Sequence, residues 1–162
     1  MCSSDLVDSG VAEDYRAHER GMAFAQAARA AGAAVSVMVA PAGDAFDAGR
    51  QVLGQLVEQA HAAQAGARPI TAAAFANDHL ACGALLEAAQ RGLAVPQRLA
   101  LLGFGDFAIA RQLTPALSSV QLPRHAIGAE TARSLLEALR HGKAAAPVSL
   151  PWTLVARGST VA

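Results

Sequence analysis

Cysteine is scarce: Cys2 and Cys82 are the only two in 162 residues. Two isolated thiols give neither a disulfide framework nor a metal-ligand spacing, which points to a reduced compartment. An excess of either charge is also missing. Lys plus Arg and Asp plus Glu are both 13, for a formal net charge of zero. A nucleic-acid-binding surface would carry a basic surplus, so this chain is not expected to form one itself. No run of about 18 uncharged apolar residues occurs, so no membrane span is expected. The Met1–Gly10 start has no apolar core of the kind a signal peptide needs. Catalytic patterns are absent too: there is no Gly-x-Ser-x-Gly elbow, no His-x-x-x-His pair and no phosphate loop. His18, His61, His79, His125 and His141 are scattered. A soluble, cytoplasmic, non-enzymatic protein without cofactor or metal is the expectation.

What is abundant is alanine. Hydrophobic residues make up 53% and charged residues 16% of the chain, and alanine helices need little side-chain ordering. The length suits one domain, burying roughly 70% of its unfolded surface. Helical spacing covers Glu13–Ala31, closed by Gly32, and Asp44–Ala65, closed by Gly66. Apolar Val35–Val39, Ile70–Phe75 and Leu99–Phe104 read as buried parallel strands. Helices follow at Asp78–Arg91 and, after the first-turn Pro123, at Ile127–Leu139; Phe107–Gln112 is a short helical piece. Leu117–Leu122 is extended, and Val148–Leu150 and Thr153–Val155 are short closing strands. The alternation predicts an α/β fold, a parallel doubly wound sheet with helices on both faces. Met1–Ser9 leads into no element in this reading. A foreign or disordered start is expected there, and a chain that opens on a helix is expected to be truncated at its N-terminus.

Ile70–Leu86 draws attention first. The apolar run stops at Asn77-Asp78 and a helix begins at once; such strand-to-helix junctions are where open α/β sheets place ligands. Asn can both donate to and accept from a polyol hydroxyl, or it can simply cap the helix. Gly103-Phe104-Gly105-Asp106-Phe107-Ala108 fits a loose dinucleotide pattern. Pro115 leaves no room for the long helix that pattern requires, and Asp106 would repel a pyrophosphate. Asp106 is either a hydroxyl acceptor at a strand end or a turn residue. Arg20 alone reads as a solvated charge, and Arg124 and His125 lie at a crossing where they could face a cleft. Cys82 reads as a small core residue.

Several stretches together resemble the effector-binding domain of the lactose-repressor (LacI) family of bacterial transcription regulators. They are Ala76–Ala84, Arg91–Pro96, Leu99–Asp106, Thr114–Val120 and Leu154–Thr160. Within that family, Gly103–Arg111 looks most like the gluconate-type regulators. The resemblance spans Glu13 to Thr160 and implies a periplasmic-binding-protein-like type I fold of two lobes around a small-molecule cleft. It divides the chain into a C-terminal lobe at 10–119, crossover elements of the N-terminal lobe at 120–146, and return strands at 147–162. It implies that a helix-turn-helix and most of the first lobe lie outside this chain, so that operator DNA is met only through the missing domain. It further implies a homodimeric parent. Position by position, Asn77 matches the family's effector-binding Asn, Arg20 the Arg that grips hydroxyls or carboxylates, and Phe24 stands beside it. Asp106 falls on the second position of the usual acidic pair, while Gly105 occupies the first, which puts the acidic contact in doubt. Leu122 replaces a frequent Gln, and Arg124 takes a position that commonly faces the cleft. A sugar or sugar acid is the expected effector, and the lost Gln and added Arg suggest one with an anionic group, such as a sugar acid. A periplasmic sugar-binding protein of the same fold and a nucleotide-dependent enzyme are the alternatives.

Overall fold

The computed structural model describes residues 3–8, 14–62 and 70–161. The chain runs β1 (Ser3–Asp8), α1 (Tyr15–Ala30), β2 (Ala34–Val39), α2 (Ala45–Ala62), β3 (Ala72–Phe75), α3 (Asp78–Gln90) and β4 (Ala100–Phe104). A short 3₁₀ helix at Ala108–Arg111 follows, then β5 (Ser118–Gln121), α4 (Arg124–His141) and β6 (Thr153–Val155). The strands form one sheet in the order β2-β1-β3-β4-β5-β6. Neighbours β2 to β5 pair in parallel, and β6 closes the edge antiparallel to β5. From β1 the chain steps outward to β2, then back across to β3. Right-handed crossovers therefore put α1 on one face and α2 and α3 on the other. The order reverses between β1 and β3, and the crevice beyond their carboxyl ends is where such sheets bind ligands.

Helices α1 and α3 each start at a side-chain cap. Asp14 caps α1 by accepting from the Ala17 amide at 3.2 Å. That amide, above all, holds the Asp14 carboxyl below the usual carboxylate range. Asn77 caps α3 by accepting from the Leu80 amide at 3.0 Å. The core lies between the sheet and α2/α3, built from Val52, Leu53 and Leu56 on α2, Leu80, Ala84 and Leu85 on α3, and Phe75 and Leu101 beneath them. Where these helices touch, no side chain separates them. A Cβ at Gly49 would overlap the Leu80 carbonyl, and one at Gly83 would overlap the Phe46 carbonyl. Cys82 is buried in the same core; loss of water and the nearby Asp78 push its thiol up to about 12.

Three expectations are corrected. Ser3–Asp8 does lead into an element: it is an interior strand of the sheet, between β2 and β3, with Leu6 in register with Val37 and Ala74. The sheet therefore opens on a strand, as doubly wound sheets do. Only Leu6 and Val7 are apolar there, too few to set a periodicity. Val148–Leu150 is not a strand, because Pro147 and Pro151 flank it and each removes a backbone donor. Pro123 sits at the N-cap of α4 rather than in its first turn. The expected end of the second helix at Ala65 and Gly66 falls outside the described residues.

Gly83→Ala should destabilise the protein by about 1–3 kcal/mol, because backbone must move to admit the methyl; chemical denaturation reads the loss. Cys82 should resist iodoacetamide at pH 8 in the native protein and react once denaturant is added, read on its peptide by mass spectrometry.

Candidate functional site

The start of α3 is tied down by a carboxylate. Asp78 is fully buried; its Oδ2 accepts from the Phe107 amide at 2.6 Å and its Oδ1 from the Ser119 hydroxyl at 2.6 Å. The Asp106 amide donates to the same Ser119 Oγ at 3.0 Å. Gly103 lies beneath, and any Cβ there would overlap Asp78 Oδ1. After β4 the chain turns sharply through Gly105, at φ 123°, and Asp106, at φ 48°. The left-handed Asp106 costs energy that its neighbours must offset. They do so through the side chain. Arg157 Nη2 donates to Oδ1 at 2.7 Å, and Gln121 Nε2 donates to Oδ2 at 2.9 Å. Arg157 also donates to the Leu117 carbonyl at 2.7 Å. Asp106 is thus the acceptor of a largely buried ion pair.

Beside this knot lies a cavity of about 440 Å³ whose wall includes Arg20, Phe24, Phe104, Val120, Leu122 and Trp152. Its lining is mostly apolar. The exception is Arg20, whose guanidinium sits 4.3 Å from the centre of the Phe104 ring and donates to the Ala76 carbonyl at 3.3 Å. Among the described residues, its buried Nε has no hydrogen-bond partner. A donor left in that state costs free energy that an acceptor in the cavity would recover.

A row of rings stands at the adjoining helix starts. Phe46 and His79 lie 5.3 Å apart, and His79 and Phe107 4.9 Å apart. Arg124, exposed on the first turn of α4, places its guanidinium 5.0 Å from the Phe107 ring.

The structure therefore brings Arg20, Phe24 and Leu122 together in one wall. Asn77 follows Ala76, whose carbonyl holds Arg20, and its Oδ1 is engaged in the cap. Arg124 lies at the ring row, and Asp106 is engaged by Arg157 and Gln121. Sequence reasoning missed Arg157, Ser119, Phe104 and Trp152. Two adjacent serines in a strand with buried neighbours were the readable signal, since buried hydroxyls need polar partners. Arg157 gives no such signal, being remote in sequence from Asp106.

The sequence matches the periplasmic binding protein-like domain family over residues 2–160. The chain belongs to that family. Among its relatives, the HTH-type transcriptional regulator GntR of Pseudomonas aeruginosa is 47% identical over 88 residues, 53% of this chain and 25% of that protein. The HTH-type transcriptional repressor CytR of Escherichia coli is 31% identical over 145 residues, 88% of this chain and 40% of that protein. The crystal structure of a LacI family transcriptional regulator from Mycobacterium smegmatis superposes with a TM-score of 0.81 at 25% identity, covering 98% of this chain and 57% of that one. The chain thus spans less than half the length of these two curated relatives, and the resemblance to the LacI-type effector domain is borne out.

Replacing Arg157 by Leu would strand the Asp106 carboxylate without its cation and should cost about 3–5 kcal/mol. Asp106→Asn in the same background should recover part of that loss, a comparison that urea midpoints would settle.

Proposed function

We propose that this chain is the sensing part of a DNA-binding transcriptional regulator, taking a sugar or sugar acid in a cleft that controls operator binding. The observation that carries the reading is Arg20. A buried guanidinium face with an unmatched Nε, held between Phe104 and the Ala76 carbonyl at the mouth of a cavity, is a ready acceptor-binding group. Phe24 and Phe104 supply apolar walls, and Asn77, whose Oδ1 is spent on the cap, offers its amide donors. With Gly105 in place of an acid, Asp106 neutralised by Arg157 and Arg124 added at the rim, the charge balance favours an anionic effector.

The second wall of the cleft belongs to another lobe of a longer protein. Helix α4 supports this: none of its residues is buried, and Ile127, Leu135, Leu136 and Leu139 are exposed. A stripe of that kind needs a packing partner. Residues 10–119 and 147–162 then form one lobe, and 120–146 belong to the other. The parent works as a homodimer in the cytoplasm; among the described residues no helix is long and apolar enough to cross a membrane. No catalytic step and no cofactor enter this reading. Effector binding shifts the lobes by no more than its differential affinity for their two arrangements.

Isothermal calorimetry on the intact regulator should detect sugar acids and give weaker or no heat with the matching neutral sugars; tight binding of neutral sugars alone would sink the anionic reading. Arg20→Ala and Asn77→Ala should each weaken effector binding at least about tenfold, one lost charged or buried hydrogen bond, while promoter DNA is still bound. An unchanged inducer response in both variants would count against the assignment.

A further inference from the structure

Ser119 has no part in the effector contacts proposed above, yet it is fully buried at the meeting point of three elements. Its hydroxyl donates to Asp78 at the start of α3 and accepts from the Asp106 amide in the turn after β4, while its backbone lies in β5. We propose that Ser119 is a positioning residue for the effector site, locking the Gly105–Phe107 turn to α3 and to the strand that leads into Arg124. The inference rests on the reading of this crevice as an effector site.

The turn does not hold itself. Two successive residues with positive φ, one of them Asp106, make its shape a product of its surroundings. Strand β5 reaches it at three points: Val120 accepts from the Gly105 amide at 2.9 Å, Ser119 Oγ accepts from the Asp106 amide, and Gln121 donates to the Asp106 carboxylate. Of these, Ser119 alone also grips α3. The other oxygen of Asp78 takes the Phe107 amide, so the hydroxyl and the carboxylate close a small ring of bonds around the turn. Phe107 leaves that ring to stand between His79 and Arg124. Just past β5 the chain runs through Leu122 in the cavity wall and Pro123 to Arg124, the first residue of α4. A shift of the turn relative to α3 therefore changes where Phe107 stands against His79 on α3 and under the Arg124 guanidinium. The job needs one group that donates and accepts at once in a site closed to water, and a hydroxyl does both. Ala removes both roles, whereas Thr keeps them.

The test compares wild type, Ser119→Ala and Ser119→Thr in the intact regulator, with D-gluconate as the calorimetric probe. Amide hydrogen exchange at Asp106 and Phe107, which needs no ligand, is followed alongside, with Val52 and Leu53 as core controls. Ser119→Ala should speed exchange at Asp106 and Phe107 about tenfold or more, leave Val52 and Leu53 protected, and weaken gluconate about tenfold, the effect of one buried hydrogen bond. Ser119→Thr should restore both readings. Exchange that is unchanged at the two turn amides, or that rises equally in the core, overturns the proposal; so does gluconate affinity that holds while the turn opens. A wild type that takes up no gluconate rejects that sugar acid as the effector, and the exchange pattern then still decides whether Ser119 positions the turn.

Discussion

Everything at the crevice depends on one buried carboxylate. Asp78 has no access to water, and both of its oxygens must be matched within the protein or the fold loses about 1–3 kcal/mol for each vacancy. The Phe107 amide and the Ser119 hydroxyl match them. That requirement explains the glycine beneath at Gly103, the small hydroxyl opposite in β5 and the tight left-handed turn between them. It also fixes the neighbouring residue. With Asp78 anchoring the helix start, Asn77 is presented at a fixed height beyond the end of β3.

A second electrostatic joint, Asp106 with Arg157, ties the last segment of the chain back to that turn. Around it Ser118 and Ser159 exchange bonds with backbone from β4 and the C-terminal segment: the Ser118 amide donates to Ser159 Oγ at 2.8 Å, and Ser159 Oγ donates to the Leu101 carbonyl at 2.6 Å. Such buried polar groups favour one arrangement, because a partly satisfied network is worse than an apolar core. The result is a polar joint at the end of the sheet, with Arg20 on α1 reaching the same end from the opposite face.

Much of this was legible in the residues. Asn77 announced the start of α3, Gly32 the end of α1, and the apolar runs at Val35–Val39 and Leu99–Phe104 gave their strands to within a residue or so. The parts that escaped share a physical cause. β1 has only Leu6 and Val7 between polar residues, so its place inside the sheet comes from pairing on both sides and not from its own pattern. Val148–Leu150 has the right residue types but two flanking prolines and no strand beside it. Arg20 looked like a solvated charge because nothing local to α1 reveals Phe104 and Ala76 across the fold. Asp106 reads from the sequence as either a hydroxyl acceptor or a turn residue; it is in the turn, and its ion pair with Arg157 is invisible beforehand because tertiary contact alone makes it.

The glycine contact between α2 and α3 has a bearing on how this protein can change over time. Spacing between those helices is set by main chain on main chain, Gly49 against the Leu80 carbonyl and Gly83 against the Phe46 carbonyl. Side chains elsewhere in the interface are therefore free to drift in size and shape without altering how far apart the two helices stand. Phe46 and His79, which begin the ring row, sit at the starts of those same helices. The interior of the lobe can therefore change in residue size while the rim where those two helices start keeps its dimensions.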